Sequence, residues 1–179
     1  AMGRAMDDVI ISAALGTSQT GKDGSTSTAL PAGQKIAHGS AGLTIAKLVS
    51  AKELLDAASV DPSIPRHIIV SPKQISDLLN NTTVTSSDFN TVKALAQGEI
   101  NSFVGFNFIV SNRLNTDSNS DRQVIAFASD GIKLAVGKEP AARIDERADK
   151  SYSTQVYYCQ TIGATRMEEE KVVEIACNE

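Results

Sequence analysis

Apolar positions along the chain fall into three successive rhythms. At the start, Met2, Met6, Val9, Ile10, Ala13 and Ala14 recur at helical spacing, with Arg4, Asp7 and Asp8 off the stripe. The pattern predicts an amphipathic helix that stops at Gly16. From Gly16 to Gly42 the chain holds six of its twelve glycines and many Ser and Thr, so a surface loop or loose hairpin is expected, anchored by Leu30, Pro31 and Ile36 alone. A second helix follows. Thr44 is placed to cap it, Leu48, Ala51, Leu55 and Ala58 make its buried stripe, and Lys47, Lys52, Glu53 and Asp56 are assigned to its solvated face. Asp61-Pro62 and Ile64-Pro65 end it and mark a boundary.

Past that boundary short strands and helices alternate. Arg66 to Val70 reads as an apolar strand, and Ser71 and Pro72 as the cap and first residue of a helix running through Leu79. Asn80 to Asp88 is turn-rich, and Phe89 to Gln97 reads as a short helix stopped at Gly98. Phe103 to Val110 alternates Val104, Phe106, Phe108 and Val110 around Gly105, which predicts one strand with a bulge or a close backbone approach. Asn112 to Arg122 is turn-like, and Gln123 to Ala128 and Gly131 to Gly137 read as two further strands.

The last forty residues turn to longer strands. Arg143, Asp145, Arg147 and Asp149 alternate in sign at every second position, which in one extended strand puts all four on one face. Tyr152 to Met167 is β-rich, the charged run Arg166 to Lys171 follows, and Val172 to Cys177 closes the chain as an apolar strand. This is the pattern of a surface that recognises copies of itself. Arg143, Asp145, Arg147 and Asp149 are expected to set register against a neighbouring strand or subunit, with Arg166, Glu168, Glu169 and Glu170 as a second patch.

Composition narrows the chemistry. The 179 residues suffice for one large domain or two small ones. With a net charge of −4 the chain repels a phosphate backbone on average, and five Phe, three Tyr and no Trp supply a stacking platform poorly. No apolar run approaches the length that spans a membrane. Cys159 and Cys177 read as buried free thiols, and His38 and His67 lack ligand-spaced partners, so no metal is expected.

Several tempting sites fail on chemistry. Gly16-Thr17-Ser18-Gln19-Thr20-Gly21-Lys22-Asp23 has the spacing of a phosphate-cradling loop. Asp23 stands where a hydroxyl should bind magnesium, a helix precedes the loop where a strand should, and Gly24 and Ser25 follow where a helix should begin. Asp145 and Glu146 point to opposite faces of a strand. Glu168 to Glu170 read as a solvated or interface charge run, His67 as structural, and Lys22, Lys35, Lys47 and Lys52 as dispersed solubilising residues rather than a patch for nucleic acid. No catalytic residue is nominated and no cofactor is expected.

The block Ile68-Ile69-Val70-Ser71-Pro72 with its helix, then Gly105 through Leu114, then Val124-Ile125-Ala126-Phe127, resembles the major capsid proteins of tailed phages, as does the tail from Ala142 to Arg147 and from Gly163 to Glu170. The resemblance covers most of the chain and lies in the order of packing patterns rather than in a catalytic fingerprint. It implies an α+β Hong Kong 97-type capsid fold. Residues 1–62 and 141–170 would form a peripheral domain (spine helix plus long β-strands), and residues 63–140 and 171–179 an axial α/β domain. It further implies a non-enzymatic subunit of an icosahedral phage head, assembled in the host cytoplasm. Such subunits form hexamers and pentamers, enclose double-stranded DNA without reading its sequence, and meet scaffolding, portal or decoration proteins but no membrane. Ala1 begins inside a helical pattern with no cap before it, so the chain is expected to be the ordered or processed remainder of a longer protein. The family's N-terminal arm and extended loop have no counterpart here: either they were cut off or this chain does something else. Two other readings stay open: a nucleotide-binding protein using Gly16 to Lys22, and a cellular encapsulating shell of the same fold.

Overall fold

A computed structural model describes residues 2–80 and 102–179. The turn and short helix expected between residues 80 and 98 lie, but for Asn80, outside the described residues. The elements are α1 (Met2–Leu15), a hairpin of β1 (Ser18–Thr20) and β2 (Thr26–Thr28), β3 (Lys35–Ile36), α2 (Ile45–Ala57), β4 (Arg66–Val70), α3 (Pro72–Asn80), β5 (Ser102–Phe103), β6 (Phe106–Val110), β7 (Arg122–Ala128), β8 (Ile132–Arg147), β9 (Ser153–Arg166) and β10 (Val172–Cys177).

Among the described residues six strands form a mixed sheet in the order β3-β10-β7-β4-β6-β5. β4 and β6 run parallel, which the long connection between them permits, and β7 runs antiparallel to both β4 and β10. β4, β7 and β10 are near-continuous apolar runs because both their faces are covered. Ile68, Val70, Val124, Ile125, Ala126, Val173 and Ile175 are all buried there. α1 lies against β7, β8 and β9, and α2 against β10 and β3. α2 buries Leu48, Ala51 and Leu55, as its spacing requires, and Thr44 Oγ1 accepts the Lys47 amide at 3.4 Å as its N-cap. α1 reaches deepest with Ile11 and Ala14.

Four local expectations are corrected. The segment Phe103 to Val110 is a hairpin, not one strand: Val104 and Gly105 both have positive φ, 52° and 82°, and turn β5 back onto β6. Gly131 to Gly137 is only the first half of β8, a single strand of 16 residues that continues through Pro140. Pro140 cannot donate to a ladder, and the pairing with β9 shifts register around it, between Lys138 and Ala141, so the strand survives as a bulged one. Lys47 is not on a solvated face. Its ammonium donates to the carbonyls of Ala41, Gly42 and Ala176 at 2.8, 2.7 and 3.0 Å, tying the loop before α2 to β10, and burial pulls its pKa below the usual lysine range. Ser71 occupies the cap position of α3, but its hydroxyl faces Glu179. The Ser71 amide is taken instead by the Gln74 side chain at 2.9 Å, the reach-back half of a capping box. β3 and α2, drawn from the first 62 residues, pack onto β10 of the six-stranded sheet.

Candidate assembly surface

Among the described residues β8 and β9 form a sheet of two strands. The ribbon has a covered half and a bare half. On β9, Gln160, Ile162 and Ala164 are half-buried and Arg166 is buried, where α1 lies against the strand. Beyond them Ser153 through Tyr158 are exposed, as is every β8 residue from Ala142 to Arg147. Ile144, Val156 and Tyr152 are 70%, 69% and 72% exposed, and Tyr157 and Tyr158 are exposed with them. Single hairpins in water are marginal, and exposed strand edges invite pairing with another chain.

Register sorts this half into two faces. Arg143, Asp145 and Arg147 stand opposite Tyr157, Gln155 and Ser153 on one face, while Ala142, Ile144 and Glu146 stand opposite Tyr158, Val156 and Thr154 on the other. Three of the four residues chosen from sign alternation therefore do share a face. Asp149 does not, because it lies in the 3-10 turn Ala148–Lys150 at the tip. There it accepts a hydrogen bond from Arg147 Nε at 2.8 Å, and that guanidinium holds its carboxyl below the usual aspartate range. Ser151 and Tyr152 complete the tip, both in the left-handed region. The apolar face of Ile144, Val156 and Tyr158 went unnoticed in the sequence. Its signal was there, in the even positions of β8, but it emerges only once β9 is set in register.

Arg166 is corrected as well. It is 3% exposed and belongs to the chain's own interior. Its guanidinium donates to the carbonyls of Ala14, Gly16 and Thr28 at 3.0, 2.7 and 3.0 Å, closing the C-terminal end of α1 and fastening the β1–β2 hairpin to the ribbon base. Its neighbours in the charged run act locally too. Glu169 accepts a hydrogen bond from Ser18 Oγ at 3.3 Å, Glu168 lies 3.1 Å from Lys171, and Glu170 is exposed. Lys171 also donates to Asp130 at 2.6 Å and holds the Asp130 carboxyl below its ordinary range. At that point a Cβ on Gly131 would sit 2.9 Å from the Lys171 Cβ, so the two connections between ribbon and sheet cross in direct contact.

The other candidate residues make contacts within the chain. Gly21 and Gly24, with φ of 88° and 61°, form the turn between β1 and β2, so the phosphate-loop spacing belongs to a β-hairpin. His67 stacks at a tilt on Phe127, 5.7 Å between ring centres, and its Nε2 meets Ser129 Oγ at 3.2 Å. Lys35 pairs with the buried Glu174 at 2.9 Å, so two of the four lysines of the first third serve the fold. A cleft of about 640 Å³ lies between α2 and the β5–β6 turn, but its buried Arg66 is engaged by Asp56 at 2.6 Å and by the Val60 carbonyl. Both cysteines are free. Cys177 is buried, with its pKa pushed up to about 11 by burial, and Cys159 is half-buried. Among the described residues no group of three or more His, Cys, Asp or Glu side chains is placed to hold a metal, and no helix is long and apolar enough to cross a membrane.

A six-stranded sheet with helices packed on it carries a projecting two-stranded ribbon, and comparison with known proteins bears on what kind of protein this is. A model of the phage capsid protein family matches residues 1–179, and the chain belongs to that family. Solved structures agree on the fold, which is of the Hong Kong 97 type. The chain resembles the capsid protein of cyanophage P-SCSP1u at 18% identity and a TM-score of 0.67, over 99% of this chain and 63% of that one. It resembles the capsid protein of cyanophage Pam1 at 15% identity and 0.69, over 99% and 66%. An encapsulin complex from Synechococcus elongatus is similar at 9% identity and 0.57, over 98% and 61%. The chain thus spans under two thirds of the length of each of these proteins. No curated protein matches its sequence.

Proposed function

We propose that this chain is the shell-forming part of a phage major capsid protein, assembling in the host cytoplasm into hexamers and pentamers that close around double-stranded DNA. The observation that carries the proposal is the bare half of the β8–β9 ribbon. In a member of the phage capsid family, two long strands with exposed apolar and charged faces call for neighbours rather than a substrate. On this reading the protein is not an enzyme and needs no cofactor. Arg143, Asp145, Arg147 and Asp149 act geometrically, rejecting wrong registers by like-charge contact, and Glu168 to Glu170 form a second acidic patch at the ribbon base. Weak contacts suffice, because each subunit engages many partners at high effective concentration, and rotational closure limits growth. A net charge of −4 suits a container that must release its genome. Scaffolding, portal and decoration proteins are its expected partners.

The division into a peripheral part (1–62 and 141–170) and an axial part (63–140 and 171–179) is included in the proposal. The bonds of β3 to β10 argue for counting β3 and α2 with the axial part. Electron microscopy of the purified full-length polypeptide tests the shell directly, with closed particles expected. Arg147→Glu should leave the subunit folded and impair assembly; normal particles from that variant would remove Arg147 from the interface. Particles that enclose protein cargo and no DNA would favour the encapsulating-shell reading.

A further inference from the structure

We infer that His38 is an acid-operated latch on the loop between β3 and α2: neutral, it holds the turn His38–Ala41 closed, and protonated, it releases that turn and is drawn to Asp121. The inference stands apart from the shell reading, because every contact it uses lies within one subunit. The turn is closed by the Ala41 amide, which donates to the His38 carbonyl at 3.0 Å. Its two central residues, Gly39 and Ser40, both have positive φ, 54° and 55°. Glycine adopts that conformation freely and serine does not, so Ser40 is held there against its preference. A second bond helps to hold it, from the Ser40 amide to His38 Nδ1 at 3.1 Å.

That bond fixes where the ring's proton sits. An Nδ1 that accepts is bare, so the neutral imidazole carries its proton on Nε2. Nε2 lies 3.8 Å from Oδ2 of Asp121, just before β7. Asp121 is 2% exposed, and among the described residues His38 is its only ion-pair partner. Asp117, from the same connection, lies close enough for a charge on His38 to act on its carboxyl. The two ring nitrogens therefore face opposite demands. The carboxylates favour the imidazolium, and the Ser40 amide favours the neutral ring. A second proton lands on Nδ1, turns an acceptor into a donor and sets two N–H groups against each other. The Ser40 bond is lost, and the buried carboxylate gains a full countercharge. Histidine is the side chain that makes this change between roughly pH 5 and 8.

The latched loop is tied to the end of β10. The Ala41 carbonyl accepts both the Lys47 ammonium, at 2.8 Å, and the Asn178 amide, at 3.1 Å. Gly42 rests against Asp77 of α3, whose Oδ2 lies 2.1 Å from where a Cβ would stand. Among the described residues, Lys47, Asp77, Cys177 and Glu179 complete the charged and titratable surroundings.

Hydrogen exchange of the full-length polypeptide, corrected for the intrinsic effect of pH on exchange, tests the latch. From about pH 7.5 to about pH 5.5, protection of the Ser40 and Asn178 amides should fall about fivefold or more, while that of β4 stays constant. His38→Asn keeps an acceptor for the Ser40 amide and cannot take a proton, so its protection should not change over that range. His38→Ala removes the acceptor and should leave the Ser40 amide poorly protected at both ends of it. Unchanged protection in the wild type overturns the latch. So does a loss that persists in His38→Asn, or one that sets in only below about pH 5, where carboxylates titrate.

Discussion

Ile125 and Ile144 are the same residue in the same kind of strand, set in opposite surroundings. Ile125 of β7 pairs with Ile69 on one side and Glu174 on the other and is fully buried. Ile144 of β8 pairs with Val156 alone and is 70% exposed. The six-stranded sheet has helices against it, so its strands stabilise the subunit at about 1.5–3 kcal/mol per buried aliphatic side chain. Among the described residues the ribbon has α1 over its base, and its distal half is exposed. The difference teaches that strand-forming sequence does not imply a contribution to the subunit's own stability. Where apolar residues are left bare, the free energy of covering them is still available to assembly.

The largest test of this contrast is a matched truncation. Ile125→Ala should cost about 3 kcal/mol in urea unfolding of the isolated chain, through lost burial and a cavity. Ile144→Ala should cost under about 0.5 kcal/mol there and yet weaken assembly. Equal costs would mean that the distal ribbon packs on its own chain. Next comes the boundary between the two regions. Arg166→Ala leaves three carbonyls without their donor and should cost about 2–3 kcal/mol by thermal unfolding, whereas Arg143→Ala on the bare half should leave the melting temperature unchanged.

A smaller effect lies in the sheet's own clasp. Glu179 accepts hydrogen bonds from Gln74 at 2.8 Å and Arg122 at 2.7 Å, and Arg122 above all holds its pKa below the ordinary glutamate value. A depressed carboxylate binds more protons unfolded than folded. Its contribution is therefore complete above the ordinary glutamate pKa and is lost as pH falls through the depressed one. Glu179→Gln should flatten that segment of the acid-unfolding curve, and an unaltered curve would exclude the clasp. The smallest expected effect is one of rates. A maleimide should label half-buried Cys159 first and reach Cys177 only on unfolding, since burial keeps that thiol neutral with a pKa of about 11. Equal rates would show that β10 opens readily.

Much of the fold is legible in the residues, and specific features say why. α1, α2 and β4 follow from spacing, caps and prolines, which act within a turn or two. The hairpin at Val104–Gly105 was missed because a Val in the left-handed region breaks the usual turn chemistry. The full length of β8 was missed because Pro140 normally ends a strand, and only a partner that shifts register lets it pass. Lys47 and Arg166 were misassigned for one reason: a long cation reads as solvated until the carbonyls it reaches, Ala176 and Ala14 among them, arrive from distant parts of the chain. On the assembly surface, the alternation of Arg143, Asp145 and Arg147 was readable in one strand, while the apolar face needed two.

The sequence by itself determined α1, α2, α3, β4, β7 and β10, since those depend on short-range periodicity, caps and prolines. Tertiary structure decided which strands are covered and which are bare. Burial is a property of what lies across from a residue, and for β8 and β9 that is set by register, by where α1 stops, and by the crossing of Gly131 with Lys171 that directs the ribbon out of the sheet.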